Sequence, residues 1–248
     1  MNISFRPRLL PYLTLGMGGI GLALRVWLFS TRVNYLVDTA HPANILLYIL
    51  SGLFLLALFF SVRSLKPMKH YERLFPASRK NAAGCLLGGL AIGYGAIVMH
   101  RPLNNVLSIA LLVLGLLSAA GLVFTGLCRY QGRRPHFTIP CVLTVYMILH
   151  TLNMCKAWNT ISQLQLYFFP LMATIFLLLT CYQYAVLNVH AGKRRPFVLY
   201  SQAAAFFCLL SSNIDRFKFF YIGCAAWLVL DLCSLRTAAR PSQGGAAE

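Results

Sequence analysis

Residues 106–127 read VLSIALLVLGLLSAAGLVFTGL. This run contains no charged residue. A helix rises 1.5 Å per residue, so about 20 mainly apolar residues are enough to cross the hydrocarbon core of a bilayer. The stretch therefore predicts a transmembrane helix, and similar apolar runs recur along the rest of the chain.

The composition of the whole chain agrees with that interpretation. Hydrophobic residues make up 58% of the 248 residues, charged residues only 11%, and the mean hydropathy is +0.68. A soluble domain carries about 25% charged residues because its surface faces water. Most of this protein's surface must therefore face lipid, which excludes a disordered chain, a collagen and a nucleic-acid-binding domain.

Eight segments are long and apolar enough, or nearly so, to span a bilayer. We predict an all-α, polytopic bundle in a single transmembrane domain over 1–236, followed by a short disordered cytoplasmic tail over 237–248. The first span is too long for a signal-peptide core and contains Arg25, so we expect it to be retained. The predicted spans are 10–30, 44–62, 82–100, 106–127, 137–153, 166–187, 197–213 and 219–235, of which the fifth and the last are short and the weakest candidates.

The basic residues are distributed unevenly between the two sides of the predicted bundle. Lys and Arg total 22 against 5 acidic residues, a net charge of +17. Short cytoplasmic loops collect Lys and Arg, so the side with more of them is predicted to be the inside, with both termini cytoplasmic. The richer side holds sixteen: Arg6, Arg8, Arg63, Lys66, Lys69, Arg73, Arg79, Lys80, Arg129, Arg133, Arg134, Lys193, Arg194, Arg195, Arg236 and Arg240. The poorer side holds Arg32, Arg101, Lys156, Arg216 and Lys218.

The longest loop, 63–81, has its apolar residues at helical spacing among basic ones. Tyr71, Leu74 and Phe75 lie i, i+3 and i+4 apart. This pattern is typical of a short helix lying on the inner leaflet. A solvated basic loop is an equally acceptable interpretation.

A weak internal similarity suggests a duplication. Shifting the chain by 119 positions carries the first two predicted spans onto the fifth and sixth. A repeat of four spans would be parallel, with its axis along the membrane normal. Chance similarity between hydrophobic helices is the alternative. The matched residues are Leu24, Val26, Asn34 and Tyr48 in the first half and Leu143, Val145, Asn153 and Tyr167 in the second.

Two ionisable residues, Arg25 and Asp231, fall inside predicted spans. Such residues are costly in lipid and are functional candidates by default. Arg25 lies near the outer end of its span and Asp231 near the inner end of another. Their depths oppose a direct pair, so we expect each to reach its own interface as an anchor.

Polar residues at the predicted outer side form a candidate ligand site. Three histidines there could bind a metal or titrate near neutral pH. No two of them have the i, i+4 spacing of a helical ligand pair, so ordinary interfacial histidines are the alternative, and we predict neither a metal site nor a cofactor. The candidate ligand-binding residues are His41, His100, His150, Asn153, Gln202 and Asn213.

Catalysis finds little support in the sequence. There is no H-E-x-x-H or G-x-S-x-G motif and no paired carboxylate. The eight cysteines form no C-x-x-C pair and lie in or beside apolar runs, as free thiols do. Glycines spaced four apart, Gly84 with Gly88 and Gly89 with Gly93, indicate close helix packing, with a flexible gating helix as the alternative.

Two functions remain open, and an enzyme ranks third. The first is a small-solute transporter, or a transporter's membrane subunit, with a ligand site between helices. The second is a membrane sensor or scaffold that docks a cytoplasmic protein through its basic inner loops. In either case we expect the partners to be the bilayer, with anionic lipids at the basic loops, and no nucleic acid. The expected location is the cell membrane, as in a bacterial cytoplasmic membrane.

Overall fold

A computed structural model describes residues 9–30, 41–63, 65, 74–75, 78–100, 105–158, 164–189, 191–213 and 217–235. Within these ranges the chain forms eight α-helices and no strand. The helices are α1 (Leu10–Ser30), α2 (Pro42–Arg63), α3 (Arg79–Met99), α4 (Val106–Tyr130), α5 (Thr138–Trp158), α6 (Leu164–Asn188), α7 (Arg194–Ser211) and α8 (Lys218–Ser234).

Each predicted span coincides with one helix, which confirms the helical bundle. Six helices, α1 to α6, are long and apolar enough to cross a membrane. The remaining two, α7 and α8, are only 18 and 17 residues long. The ends differ by a few residues from the predictions, and the largest difference is at the end of α5, which runs on to Trp158.

Helix α7 is less apolar than the others because it lies at the centre of the bundle. It packs against α1, α2, α6 and α8. Its small residues Ala203, Ala204 and Ala205 are fully buried. A helix enclosed by other helices needs small side chains for close approach rather than long apolar ones for lipid. Helices α2 and α4 are the opposite case, with only 28% and 22% of their most apolar windows buried.

The last six helices close into a ring. Each of α3 to α8 packs against the next, and α8 returns to contact α3, while α1 and α2 lie outside this six-helix ring against α7. A 4+4 repeat would relate α3 to α7 and α4 to α8. The contact between α3 and α8 should then have an equally extensive counterpart between α7 and α4. Within the described ranges no comparable contact joins those two helices. The arrangement gives the predicted repeat no support.

The glycines of α3 serve two interfaces. A Cβ at Gly88 would lie 2.7 Å from the Trp227 ring of α8, and a Cβ at Gly84 would lie 3.2 Å from the Trp227 carbonyl oxygen. On the α4 side, a Cβ at Gly89 would lie 2.9 Å from the carbonyl oxygen of Ala119. Gly84 and Gly88 therefore let α8 approach closely, and Gly89 does the same for α4, which supports the packing interpretation.

The two ends of the bundle differ in charge. We call the end where α1, α3, α5 and α7 begin the basic end, because the described part of the chain exposes there most of its cations. The opposite end exposes Lys156, with Lys218 half-buried. Exposed cations of the basic end are Arg63, Arg79, Lys80, Arg133, Arg134, Lys193 and Arg195.

Two residues between α2 and α3 pack into the bundle at the basic end. Leu74 is fully buried and Phe75 is 6% exposed. The Phe75 ring packs edge-on against Tyr184 of α6 and Phe197 of α7, with centroids 5.9 and 5.4 Å away. Neither a surface helix nor a solvated loop describes these two residues, because both side chains insert between helices. Tyr71 lies outside the described residues.

Candidate functional site

Two of the predicted histidines lie next to each other inside the six-helix ring. His150 belongs to α5, and His100 directly follows α3. Their imidazole centroids are 5.6 Å apart with the ring planes at 86°. His150 is fully buried and His100 is 3% exposed.

Aromatic side chains fix the orientation of both imidazoles. Tyr146, one turn before His150 on α5, stacks on it at 5.6 Å and 21° and presents its ring at 87° to His100, 6.5 Å away. The Phe220 ring of α8 packs against the His150 imidazole, with the ring centroids 5.8 Å apart. A Cβ at Gly115 would lie 2.9 Å from the Tyr146 ring, so this glycine makes room for the tyrosine. We call His100, His150 and Tyr146 the histidine cluster.

The polar atoms of the histidine cluster have no partners within the described part of the chain. Both nitrogens of each imidazole and the Tyr146 hydroxyl are buried without a hydrogen bond there. A buried polar group left unsatisfied costs about 1–3 kcal/mol, and folded proteins leave few of them. Five such atoms in one cluster make it a candidate site for a bound polar ligand or for water.

The other predicted ligand residues lie elsewhere. His41, at the start of α2, packs its ring against Trp27 at 5.4 Å and accepts a hydrogen bond from the Ala43 amide. Gln202 of α7 accepts a hydrogen bond from Thr14 of α1 and leaves its amide nitrogen buried without a partner among the described residues. Asn153, near the end of α5, and Asn213, just after α7, are half-buried.

A buried ion pair lies near the basic end of the ring. Nη1 of Arg129, in the last turn of α4, donates to Oδ1 of Asp231 in α8 at 2.8 Å, and both side chains are 1% exposed. Asp231 is therefore an internal counter-ion, and the expectation that it anchors the chain at the interface was wrong. Its partner is Arg129, which the sequence predicted to lie in an inner loop. Arg129 lies in the core instead, because α4 continues three residues beyond the predicted end.

The Arg129 guanidinium is enclosed by several elements. It lies 4.1 Å from the Phe75 ring centroid and 5.0 Å from that of Tyr184. Nη1 also lies 3.5 Å from the Sγ of Cys85 on α3. Aromatic faces attract a cation most strongly where water is excluded. The side chain thus joins α3, α4, α6 and α8 with the segment between α2 and α3.

Arg25 is also internal rather than interfacial. It is 2% exposed, and its Nη1 donates to the carbonyl oxygen of Leu210 at 2.9 Å. The last carbonyls of a helix lack intrahelical donors and attract cations, and Leu210 lies in the last turn of α7. The rings of Phe29 and Phe169 flank the guanidinium at 5.4 and 5.2 Å. The expected outward reach of this side chain was wrong, because a helix end supplies its partner inside the bundle.

The side chains of the histidine cluster could bind and orient a polar ligand within the described ranges. No group of three His, Cys, Asp or Glu residues there is placed to hold a metal. All eight cysteines are free, and five of them are buried. No known family model, curated protein or solved structure matches the chain.

Proposed function

We propose that this multi-pass membrane protein binds a small solute between its helices and acts as a transporter or as a transporter's membrane subunit. The observation that supports this most is the histidine cluster, where two imidazoles and a phenol lie inside the six-helix ring without polar partners in the described part of the chain. Polar side chains inside a membrane protein commonly mark the path or site of a substrate.

We also propose that the basic end faces the cytoplasm in a cell membrane and contacts anionic lipids. Its exposed cations, such as Arg63, Lys80 and Lys193, lie at the ends of their helices. Each Lys or Arg near an anionic leaflet contributes about 1 kcal/mol of attraction.

A second candidate function rests on the same cations. A sensor or scaffold would use the basic end to dock an acidic cytoplasmic protein. In that case the solute-free cluster would be a structural feature of the core, and the activity would reside in the partner.

A binding screen followed by flux distinguishes the two functions. A solute that binds the folded protein alone raises its unfolding temperature, since at a hundred times Kd it adds about 2.7 kcal/mol of stability. We expect one or more solutes from a panel of ions, amino acids, sugars and nucleosides to stabilise the detergent-purified chain by several degrees. The same solutes should cross proteoliposome membranes faster than in empty vesicles.

The matched variants are His150→Ala and His41→Ala. The first removes a member of the cluster, and the second removes the histidine that contacts Trp27 outside it. We expect stabilisation and flux to disappear in the first and to persist in the second. Equal responses in both variants would contradict a site at the cluster. No binding or flux for any solute, together with a protein crosslinked at Lys193, would favour the sensor.

A further inference from the structure

We propose that bound water molecules line one face of α4 and connect the histidine cluster with the buried ion pair of Arg129 and Asp231. The inference deepens the proposed function, and it rests on that function where it names the solute, a small neutral molecule that forms hydrogen bonds and follows the same line. It starts from the hydroxyl groups of Ser118 and Thr125, which differ from the other buried serine and threonine hydroxyls in the described part of the chain.

Buried serine and threonine hydroxyls in this bundle usually donate to a backbone carbonyl three or four residues earlier. The hydroxyls of Ser118 and Thr125 do not, and both are buried without a hydrogen bond among the described residues. Buried polar groups that the protein leaves without a partner commonly bind ordered water. The residues that follow the usual pattern are Thr14, Ser51, Thr144, Thr151, Thr174, Thr180, Ser201, Ser211 and Ser212.

Both hydroxyls lie on a single buried face of α4. Residues three or four apart share one face of a helix. Ser118 lies between Gly115 and Leu122 at this spacing, and Thr125 lies between Leu122 and Arg129. All five residues are buried. We call them the inner face of α4, because the contacts of Gly115, Leu122 and Arg129 are with other helices of the six-helix ring.

Away from the basic end, the inner face of α4 meets the histidine cluster. A Cβ at Gly115 would lie 3.2 Å from the Cζ of Tyr146, the carbon that carries the phenol hydroxyl. Ser118 follows one turn later, about 4.5 Å nearer the basic end at 1.5 Å per residue. A buried water makes about three hydrogen bonds. One or two waters would therefore join Ser118 to the Tyr146 hydroxyl, which also lacks a partner among the described residues.

Towards the basic end, the inner face of α4 meets α8. The side chains of Leu122 and Trp227 both come within 2.9 Å of a Cβ placed at Gly88. The Trp227 indole therefore lies at the level of Leu122, between the levels of Ser118 and Thr125. One turn later along α8 comes the carboxylate of the buried ion pair. An indole N–H and a carboxylate thus continue the series of polar groups that begins at the histidine cluster.

The length and charge of this line indicate the class of solute. From Gly115 to Arg129 the helix rises about 21 Å, most of the roughly 30 Å hydrocarbon core. The Arg129 guanidinium is neutralised by its ion pair, so the line offers no uncompensated charge to an ionic solute. Burying an unpaired ion is very costly. Hydroxyl, phenol and indole groups instead suit neutral molecules that exchange hydrogen bonds, such as urea or glycerol.

Radiolytic hydroxyl-radical footprinting of the detergent-purified chain tests for the bound water. X-rays generate radicals from bound water, and these modify the adjacent side chains even where bulk solvent is excluded. After correction for intrinsic reactivity, we expect Tyr146 and Trp227 to be modified at least tenfold faster than Phe54 and Phe206. Those two phenylalanines are fully buried and stack on each other, with centroids 4.2 Å apart. Equal rates in the two pairs would overturn the inference.

The matched variants are Thr125→Val and Thr180→Val. The first removes a hydroxyl of the inner face at nearly constant volume, and the second removes a buried hydroxyl that donates to the Phe176 carbonyl. We expect modification of Trp227 to fall at least threefold in the first variant and to stay unchanged in the second. A dry hydroxyl without a partner destabilises the fold. A higher unfolding temperature for Thr125→Val, with unchanged modification of Trp227, would therefore overturn the inference.

Flux of urea and glycerol into proteoliposomes separates this inference from the proposed function. We expect both solutes to enter faster than in empty vesicles, and Ser118→Ala and Thr125→Val each to slow them at least threefold. Modification of Trp227 without urea or glycerol flux would retain the water line and remove the transport of these solutes. Flux that is the same in the native chain and in both variants would retain transport and overturn the line as its route.

Discussion

Replacing Asp231 with alanine is expected to destabilise the protein by about 3–5 kcal/mol, because it removes the carboxylate that neutralises a buried guanidinium. The Arg129 guanidinium is 1% exposed and makes its 2.8 Å ion pair with this carboxylate. The rings of Phe75 and Tyr184 also lie against the guanidinium, at 4.1 and 5.0 Å, so the charge is held away from bulk water. Thermal and denaturant unfolding of the purified chain would measure the loss.

The double variant Arg129→Met with Asp231→Leu separates pairing from packing. Exchanging both members of a buried ion pair for apolar residues of similar volume is often neutral or stabilising. We therefore expect the double variant to be more stable than Asp231→Ala alone. Lys193→Ala, which removes an exposed cation at the same end, should change stability by less than about 0.5 kcal/mol. A near-native Asp231→Ala protein would contradict the buried-pair account.

Gly89→Ala should cost about 1–3 kcal/mol through overpacking between α3 and α4. The added Cβ would lie 2.9 Å from the backbone carbonyl oxygen of Ala119 and 2.7 Å from a methyl of Val123. A backbone carbonyl cannot rotate away as a side chain can, so the two helices must separate. The usual preference of a helix for alanine over glycine, about 1 kcal/mol, offsets only part of this cost.

The control is Gly93→Ala on the same helix. Its Cβ would lie 3.4 Å from the Cβ of Ala119, an ordinary contact, so the helix preference for alanine should leave stability unchanged or slightly raised. Gly19→Ala, where nothing lies within 4 Å, serves as a second control in α1. Equal unfolding temperatures for Gly89→Ala and Gly93→Ala would contradict the close approach of α3 and α4.

The helices could be predicted from the sequence because the bilayer imposes their length and composition directly. Apolar content reports where a helix could lie in lipid, but not which helix is central. Helix α7 shows the difference. Four neighbouring helices enclose it, so it does not require lipid-facing apolar residues such as those of α2 and α4. The order of packing around the ring depends on side-chain shape at each interface, which a single sequence does not display.

The candidate site was only half predictable for a similar reason. His100 and His150 were identified by type and depth, but their pairing without His41 depends on which helices are neighbours. Arg129 was predicted to lie in a loop because the predicted span ended at residue 127. The helix continues to Tyr130, and this places the Arg129 side chain in the core. The sequence did contain a signal for this ion pair. Asp231 lies near the basic end of its span, and Arg129 lies at a similar depth when successive spans alternate in direction.

The account depends most on helices that alternate across a bilayer with the basic end inside. A membrane-impermeant maleimide tests this on Lys193→Cys and Asn105→Cys, both exposed positions at opposite ends of the bundle, with Cys141, Cys155 and Cys233 replaced by serine. In intact cells the account predicts labelling of Asn105→Cys alone, with Lys193→Cys reacting only after the membrane is permeabilised. Reaction of both variants from the same side, or of Lys193→Cys from outside, would contradict it.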